Sequence, residues 1–327
     1  MEGNKGTVCV TGGTGYIASW LIMRLLQHGY SVNATIRAKP ERKRDISFLK
    51  SLPGALEKLH LFEADLGDPD SFNAAIERCI GVFHLAASVE LEDGEPEEVV
   101  TRRAVNGALG ILKACLKSST VKRVVYTSSQ AAVAFNGKEE DIMDETYWTD
   151  VDLLKANMQT GSSYAISKTS TEKAAIEFAE ENGLDLVTVI PSLVAGPFIC
   201  PQFPASVRMM LALVSGDESL YHVIFNASLV HVDDVVGAHI FLFENPDAKG
   251  RYNCSSQMST IVEIAEFLSA KYPEFPIPTI ESLKKFKSFK TPGLSSKKLL
   301  DSGFTFKYGL DEMFEGAIQC CKEKGYL

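Results

Sequence analysis

The sequence predicts an α/β protein, a doubly wound parallel sheet followed by a smaller, mostly helical C-terminal part. Three observations carry this. Short runs rich in Val and Ile recur at 7–11, 31–36, 59–63, 80–85, 122–127 and 185–190. Helical patterns lie between several of them, clearest at 16–28, 96–118 and 161–182. Strands separated by helices need right-handed crossovers, which make a sheet parallel. Finally, the first strand runs directly into glycines, in "VCVTGGTGYIASW" at 8–20.

The first junction is the most informative element. Gly13, Gly15 and Ala18 fit G-x-G-x-x-[GA] immediately after a strand. Gly12 starts the turn without a Cβ clash. Bare backbone at Gly13 and Gly15 would let a pyrophosphate approach, and Ala18 lets the helix press on the sheet. The helix N-terminus then offers unpaired N–H groups and positive potential to phosphate. A dinucleotide site is expected. Sites for NAD usually place Asp or Glu about 20 residues onward, at the end of the second strand. Here Arg37 holds that place, with Arg42, Lys43 and Arg44 close behind. A guanidinium suits a 2′-phosphate, which a carboxylate would repel. The expected cofactor is therefore NADPH (NADP+), with Arg37 and Arg44 on the phosphate.

The next strands supply the remaining rim. The third ends at Asp65 and Leu66, where the carboxylate either reaches the adenine amino group or caps the following turn. "FHLAAS" follows the fourth, and its Ala86 and Ala87 leave room for the cofactor; His84 reads as a packed residue. In "AVNGALGILKACLKS" apolar residues recur at spacings of three and four, as in an amphipathic helix. The fifth strand ends "VVYTSS", bringing Ser128 and Ser129 to the cofactor edge. After Pro191 the rhythm loosens. "PSLVAGPFICPQFPAS" has four prolines and reads as an ordered loop, not a strand. A strand and helix follow at about 228–244, with Asp233 or Asp234 as helix cap. A short strand is expected near "RYNCS", and "KYPEFPIPT" reads as a connector. The expected division is a cofactor domain of 1–190 plus about 226–245, and a substrate domain of 191–225 and 246–327. Ligands in such sheets bind beyond the carboxyl ends of the strands.

"SSYAISKTSTEKA" begins the helix after the fifth strand. Tyr164 and Lys168 are four apart and share one face. Carbonyl reduction leaves negative charge on oxygen, and a proton donor must meet it. A phenol can do this when an adjacent ammonium stabilises the phenolate. A serine hydroxyl can fix the carbonyl oxygen and steady the growing alkoxide. A substrate pocket is expected between loops 88–95, 130–160 and 193–225. Phe135, Trp148, Phe198, Phe203 and Met209 are candidate walls for a planar ligand, or core residues.

Composition narrows the class. The 327 residues are 45% hydrophobic and 23% charged, with net charge −9. An acidic surface argues against broad nucleic-acid binding. The seven cysteines include no CxxC, so no zinc site or disulfide framework is suggested, and adjacent Cys320 and Cys321 read as helix residues. No signal peptide, membrane span or prenylation box is visible, and a cytoplasmic protein is expected.

Taken in order, TGGTGYIA, Arg37, FHLAA, YTSS, YxxxK and PSLVAGPF resemble the extended short-chain dehydrogenases/reductases of plants, in the dihydroflavonol reductase-like branch. The resemblance covers essentially the whole chain. It implies a Rossmann fold, with Ser129 as the catalytic serine, Tyr164 as acid/base and Lys168 as its partner. It places Pro191 and Ser192 beside the nicotinamide. The cofactor contacts it implies are Gly12, Gly13, Gly15, Tyr16, Ile17, Arg37, Arg44, Asp65, Leu66, Leu85, Ala86, Ala87, Thr127, Ser128, Tyr164, Lys168, Pro191, Ser192 and Val194. No metal is implied, and a monomer or dimer is expected. The implied reaction is NADPH-dependent reduction of an aromatic ketone such as an isoflavanone. Oxidation of an alkaloid lactol or alcohol is the alternative, and a catalytically silent NADPH-binding regulator is the reading of another class. Ala18 replaces the usual third glycine. Ala134 stands where dihydroflavonol reductases carry Asn or Asp to recognise the B-ring, which points away from that substrate.

Overall fold

The computed structural model describes residues 5–37, 45–87, 95–158, 161–286 and 291–327. Arg44 and most of loop 88–95 lie outside the described residues. The main sheet has seven strands: β1 (Thr7–Thr11), β2 (Ser31–Ile36), β3 (Leu59–Glu63), β4 (Gly81–His84), β5 (Arg123–Thr127), β6 (Leu186–Pro191) and β7 (Gly250–Cys254). Their order is β7-β6-β5-β4-β1-β2-β3, and every pairing is parallel.

Helices cover both faces, so the central strands read as apolar runs instead of alternating ones. Along β1 the side chains still alternate. Val8 and Val10 join the core under helices Tyr16–Gln27 and Val232–Glu244, whereas Cys9 joins the core under Glu97–Lys117 and Ser162–Asn182. Val125 and Val124 on β5 divide in the same way.

The chain winds outward from β1 to β3, then restarts at β4 on the other side of β1. The switch point is thus between β1 and β4, where a crevice opens at the strands' carboxyl ends. Thr11 and His84 are register partners there. The glycine turn and Ala86–Ala87 continue from those two residues.

The C-terminal part departs from the sequence reading in three places. The strand Gly250–Cys254 lies within the 246–327 segment assigned to the substrate part, yet it forms the edge of the main sheet beside β6. Within the proline-rich stretch expected to be loop, Leu193–Ala195 is a strand, paired parallel with Asn226–His231. Prolines flank that strand without interrupting it, so it keeps its donors. Asn226–His231 also pairs antiparallel with Gln257–Thr260, which closes a separate three-stranded sheet.

The cap of helix Val232–Glu244 is His231, whose Nδ1 accepts from the Asp233 N–H at 3.1 Å. Asp233 instead accepts from Trp20 Nε1 at 2.8 Å and pairs with Arg24 at 3.1 Å. Asp234 accepts from the N–H groups of Lys307 and Tyr308. The Tyr308 hydroxyl also donates to Asp233, so these two acids tie residues 307–308 to helix Val232–Glu244. A second core gathers Phe198, Val207, Leu213, Leu229, Ile264, Phe314 and Cys321. Cys320 and Cys321 are buried on helix Leu310–Lys324, as expected. Among the described residues no helix is long and apolar enough to cross a membrane.

Candidate active site

The glycine turn divides its work unevenly. Gly12 has φ +72°, and a Cβ there would lie 3.0 Å from Ala86 Cα. Only glycine brings these two backbones together without strain. Gly13 is buried, and its Cβ would meet Ile22 Cδ1 at 3.1 Å and Ala34 Cβ at 3.2 Å. Its bareness serves helix–strand packing, not an approaching phosphate as expected. Gly15 is exposed, and an added Cβ would touch only the Gly12 carbonyl oxygen, at 3.2 Å. It is the glycine that faces outward. The helix it starts has no side-chain cap and no acid in its first turn. Its N-terminal potential is left for a ligand.

Around the switch point the polar groups are tightly assigned. Thr11 Oγ1 accepts from the N–H groups of Leu85 and Ala86, both at 3.0 Å. Its own proton is therefore free for His84 Nδ1, 2.9 Å away. His84 is neutral, with its single ring proton on Nε2. Burial, and then the Lys168 charge, push its pKa down to about 3. This matches the packed role expected of it.

Tyr164 and Lys168 both line one cleft, together with Leu66, His84, Ala86, Ala87 and Tyr126. A more open surface groove beside Pro69, Gly110 and Phe178 contains none of the candidate residues. Lys168 Nζ donates to the Thr127 carbonyl at 3.4 Å. Ser129 follows two residues later, where its Oγ accepts from the Ala131 N–H at 3.2 Å. The end of β5 thus carries the serine and holds the lysine.

Several expected cofactor contacts point elsewhere with their side chains. The Thr127 hydroxyl donates to His239 Nε2 at 2.8 Å, since His239 Nδ1 is spent on the Val235 carbonyl. Ser128 donates to Glu172 Oε2 at 2.6 Å. The Tyr16 hydroxyl donates to the Gly196 carbonyl at 3.2 Å. Leu85 and Ile17 are half-buried against the main core, and Val194 is buried in it. For Val194 only the backbone remains for a ligand, whereas Leu85 and Ile17 keep part of their side chains exposed.

Pro191 ends β6 opposite Cys254. Ser192 is 6% exposed, and among the described residues its hydroxyl has no partner. A buried hydroxyl without a partner costs roughly 1–3 kcal/mol, so this position suits a polar group arriving from outside the chain. Arg37 Nε stands 3.6 Å from Asp65 Oδ2. Asp65 Oδ1 accepts from the Gly67 N–H at 2.7 Å, the turn-capping alternative of the sequence reading.

The candidate aromatic walls are largely structural. Phe198 is buried and stacks on Phe203, and Phe203 stacks on Tyr326 at 4.7 Å. Trp148 lies under the Arg251 guanidinium, 3.5 Å from ring centre to Cζ. The sequence reading missed Glu172. Its signal was available, because Glu172 continues the four-residue spacing of Tyr164 and Lys168 along the same helix face.

These residues fit a dinucleotide: an outward-facing glycine, an uncapped helix start, an arginine at the end of β2 and an orphaned buried hydroxyl. The family model described as "NAD dependent epimerase/dehydratase family" matches residues 8–255. Vestitone reductase of Medicago sativa is 57% identical over 327 residues, covering 100% of both chains. Its crystal structure superposes with a TM-score of 0.90 at 54% identity, over 99% of this chain and 100% of that one. Noscapine synthase SDR1 of Papaver somniferum is 48% identical over 100% of this chain and 95% of its own. The structure of yeast methylglyoxal/isovaleraldehyde reductase Gre2 complexed with NADPH has a TM-score of 0.81 at 25% identity, over 98% of this chain and 100% of that one.

Proposed function

The chain belongs to the NAD dependent epimerase/dehydratase family, and on that premise we propose that it is an NADPH-dependent reductase of an aromatic ketone, of the isoflavanone type. The observation that carries the reading is the shared cleft. Tyr164 and Lys168, one helical turn apart, open into the space bounded by His84 and Ala86, at the sheet's switch point. The likeness to vestitone reductase over the full chain supports the isoflavonoid-like substrate class.

Bound NADPH would supply the hydride in this reaction. The chain's own residues handle the proton and the charge. The backbone at Gly12, Gly15 and the start of helix Tyr16–Gln27 would hold the diphosphate, and Arg37 the 2′-phosphate. Ser192 would give its orphaned hydroxyl to the nicotinamide end. Tyr164 donates its phenolic proton to the carbonyl oxygen as charge develops there. Lys168, anchored on the Thr127 carbonyl, stabilises the phenolate that remains. Ser129 donates a hydrogen bond to the same oxygen and stabilises the alkoxide. His84 stays neutral beside Lys168, so it adds no competing positive charge.

The test is turnover by purified protein against isoflavanones, other aromatic ketones and alkaloid lactols, with NADPH, NADH and their oxidised forms. Absorbance at the nicotinamide band reports the reaction. Tyr164→Phe should abolish ketone reduction while NADPH binding stays close to wild type. A near-normal rate in that variant removes Tyr164 from the proton-donor role. Lactol oxidation without ketone reduction replaces the proposed direction by its reverse.

A further inference from the structure

Glu172 is fully buried and lies one helical turn beyond Lys168. Its carboxylate makes directional bonds to two other elements. Oε2 accepts from the Ser128 hydroxyl at 2.6 Å, on the residue adjacent to Ser129. Oε1 accepts from Arg251 Nε at 2.8 Å, on edge strand β7. Arg251 is itself 8% exposed, and its Nη1 donates to the carbonyls of Glu145 and Tyr147 at 2.6 and 2.8 Å. Its plane covers Trp148. The next residue, Thr149, is knitted to the turn after Ser129. Its N–H reaches the Ala132 carbonyl at 2.9 Å, and its hydroxyl donates to the Ala131 carbonyl at 2.8 Å.

Two contacts run in step between β5 and the helix. Thr127 takes Lys168, and Ser128 takes Glu172. Neighbours at the end of the strand, Thr127 and the following Ser128, thus meet residues one turn apart on the helix. Sliding or rotating the helix would break both at once. Stability alone does not explain such a pair, because apolar side chains of similar volume commonly replace a buried ion pair at no loss. What apolar packing cannot supply is direction.

We propose that Glu172 is a positioning residue. With Ser128 and Arg251 it forms a clasp that sets the Tyr164–Lys168 face against Ser129 and the segment Glu145–Thr149. The inference rests on the reductase reading above. The side chains of the clasp are turned towards one another and not towards substrate or cofactor. It acts on the spacing of groups that do, and a misplacement of about 1 Å in such a set costs roughly 100-fold in rate.

The primary variant is Ser128→Ala, which opens the clasp at one bond and leaves the ion pair whole. Glu172→Gln strands Arg251 without its counter-charge and endangers folding itself. The second variant is therefore Glu172→Leu/Arg251→Met, which removes both charges. The measurements are kcat and KM for ketone and NADPH, Tm, and amide hydrogen exchange on the cofactor-free protein. Both variants should lower kcat by about 10–100-fold with KM for NADPH nearly unchanged. Exchange should quicken locally in 126–131 and 162–170, with Tm close to wild type in Ser128→Ala. Normal kcat in either variant at normal Tm overturns the proposal. So does activity that falls only with the folded fraction, or exchange that rises evenly across the chain. A wild-type protein inert to every ketone ends the reductase reading and this inference with it, before any variant is compared.

Discussion

Gly15→Ala and Gly12→Ala should separate folding from cofactor binding within one turn. Gly12 sits at φ +72°, where an L-residue costs about 1–2 kcal/mol. Its new methyl would also press on Ala86 backbone atoms at 3.0 and 3.2 Å, which have no rotamer to escape into. The backbone strain alone should therefore lower the Tm of Gly12→Ala by roughly 1.5–3 °C even without ligand. Gly15 has an ordinary φ of −74°, and among the described residues, its own chain neighbours aside, its methyl would meet one carbonyl oxygen at 3.2 Å. Folding should barely notice. The methyl would stand instead over the uncapped helix start. Losing one hydrogen bond to a charged phosphate there costs about 1.5–3 kcal/mol, so the Kd for NADPH should rise about 10–100-fold. Thermal melts without cofactor and fluorescence titrations with NADPH read the two effects separately. Wild-type NADPH affinity in Gly15→Ala would refute a phosphate over this turn. An unchanged Tm in Gly12→Ala would refute the close approach to Ala86.

Three further outcomes are expected. Arg37→Asp should swing preference from NADPH towards NADH, through loss of the guanidinium and repulsion of the 2′-phosphate; unchanged selectivity in paired KM measurements would mean that the phosphate is read elsewhere. Ser129→Ala should lower kcat more than it weakens NADPH binding, and the reverse pattern would move this serine out of the reaction centre. Acid should destabilise the fold through three buried histidines, because burial pushes His84 down to about 3 and His231 and His239 to about 4. The unfolded chain takes up protons near pH 6.5 that the folded chain refuses. Stability is then full above about 6.5 and falls towards pH 4, by up to ~1.4 kcal/mol per pH unit for each histidine. Urea unfolding at pH 7.5, 6 and 5 checks this, and a flat profile contradicts it.

The strands and helices of the first 190 residues were legible because their signals are local. The Val- and Ile-rich run of β1 and the glycines after it specify a strand, a turn and a helix start whatever surrounds them. Tyr164 and Lys168 were legible for the same reason, since helical spacing puts them on one face. Leu193–Ala195 was not, because three residues among prolines become a strand only when Asn226–His231 lies alongside. The role of Gly13 was misread because the atoms that fill its space, on Ile22, Ala34 and Thr35, come together only after β2 has paired with β1.

Sequence determined the parallel sheet, the glycine turn, the arginine after β2 and the tyrosine–lysine face, all patterns closed within one or two elements. Tertiary structure decided where the buried charges go. Glu172 and Arg251 are 79 residues apart, and no periodicity links them. Their pairing, the tautomer of His84 and the turning away of Ser128 each depend on which polar group the folded chain places within reach. A buried donor or acceptor must find a partner in three dimensions, and a linear pattern does not say which one.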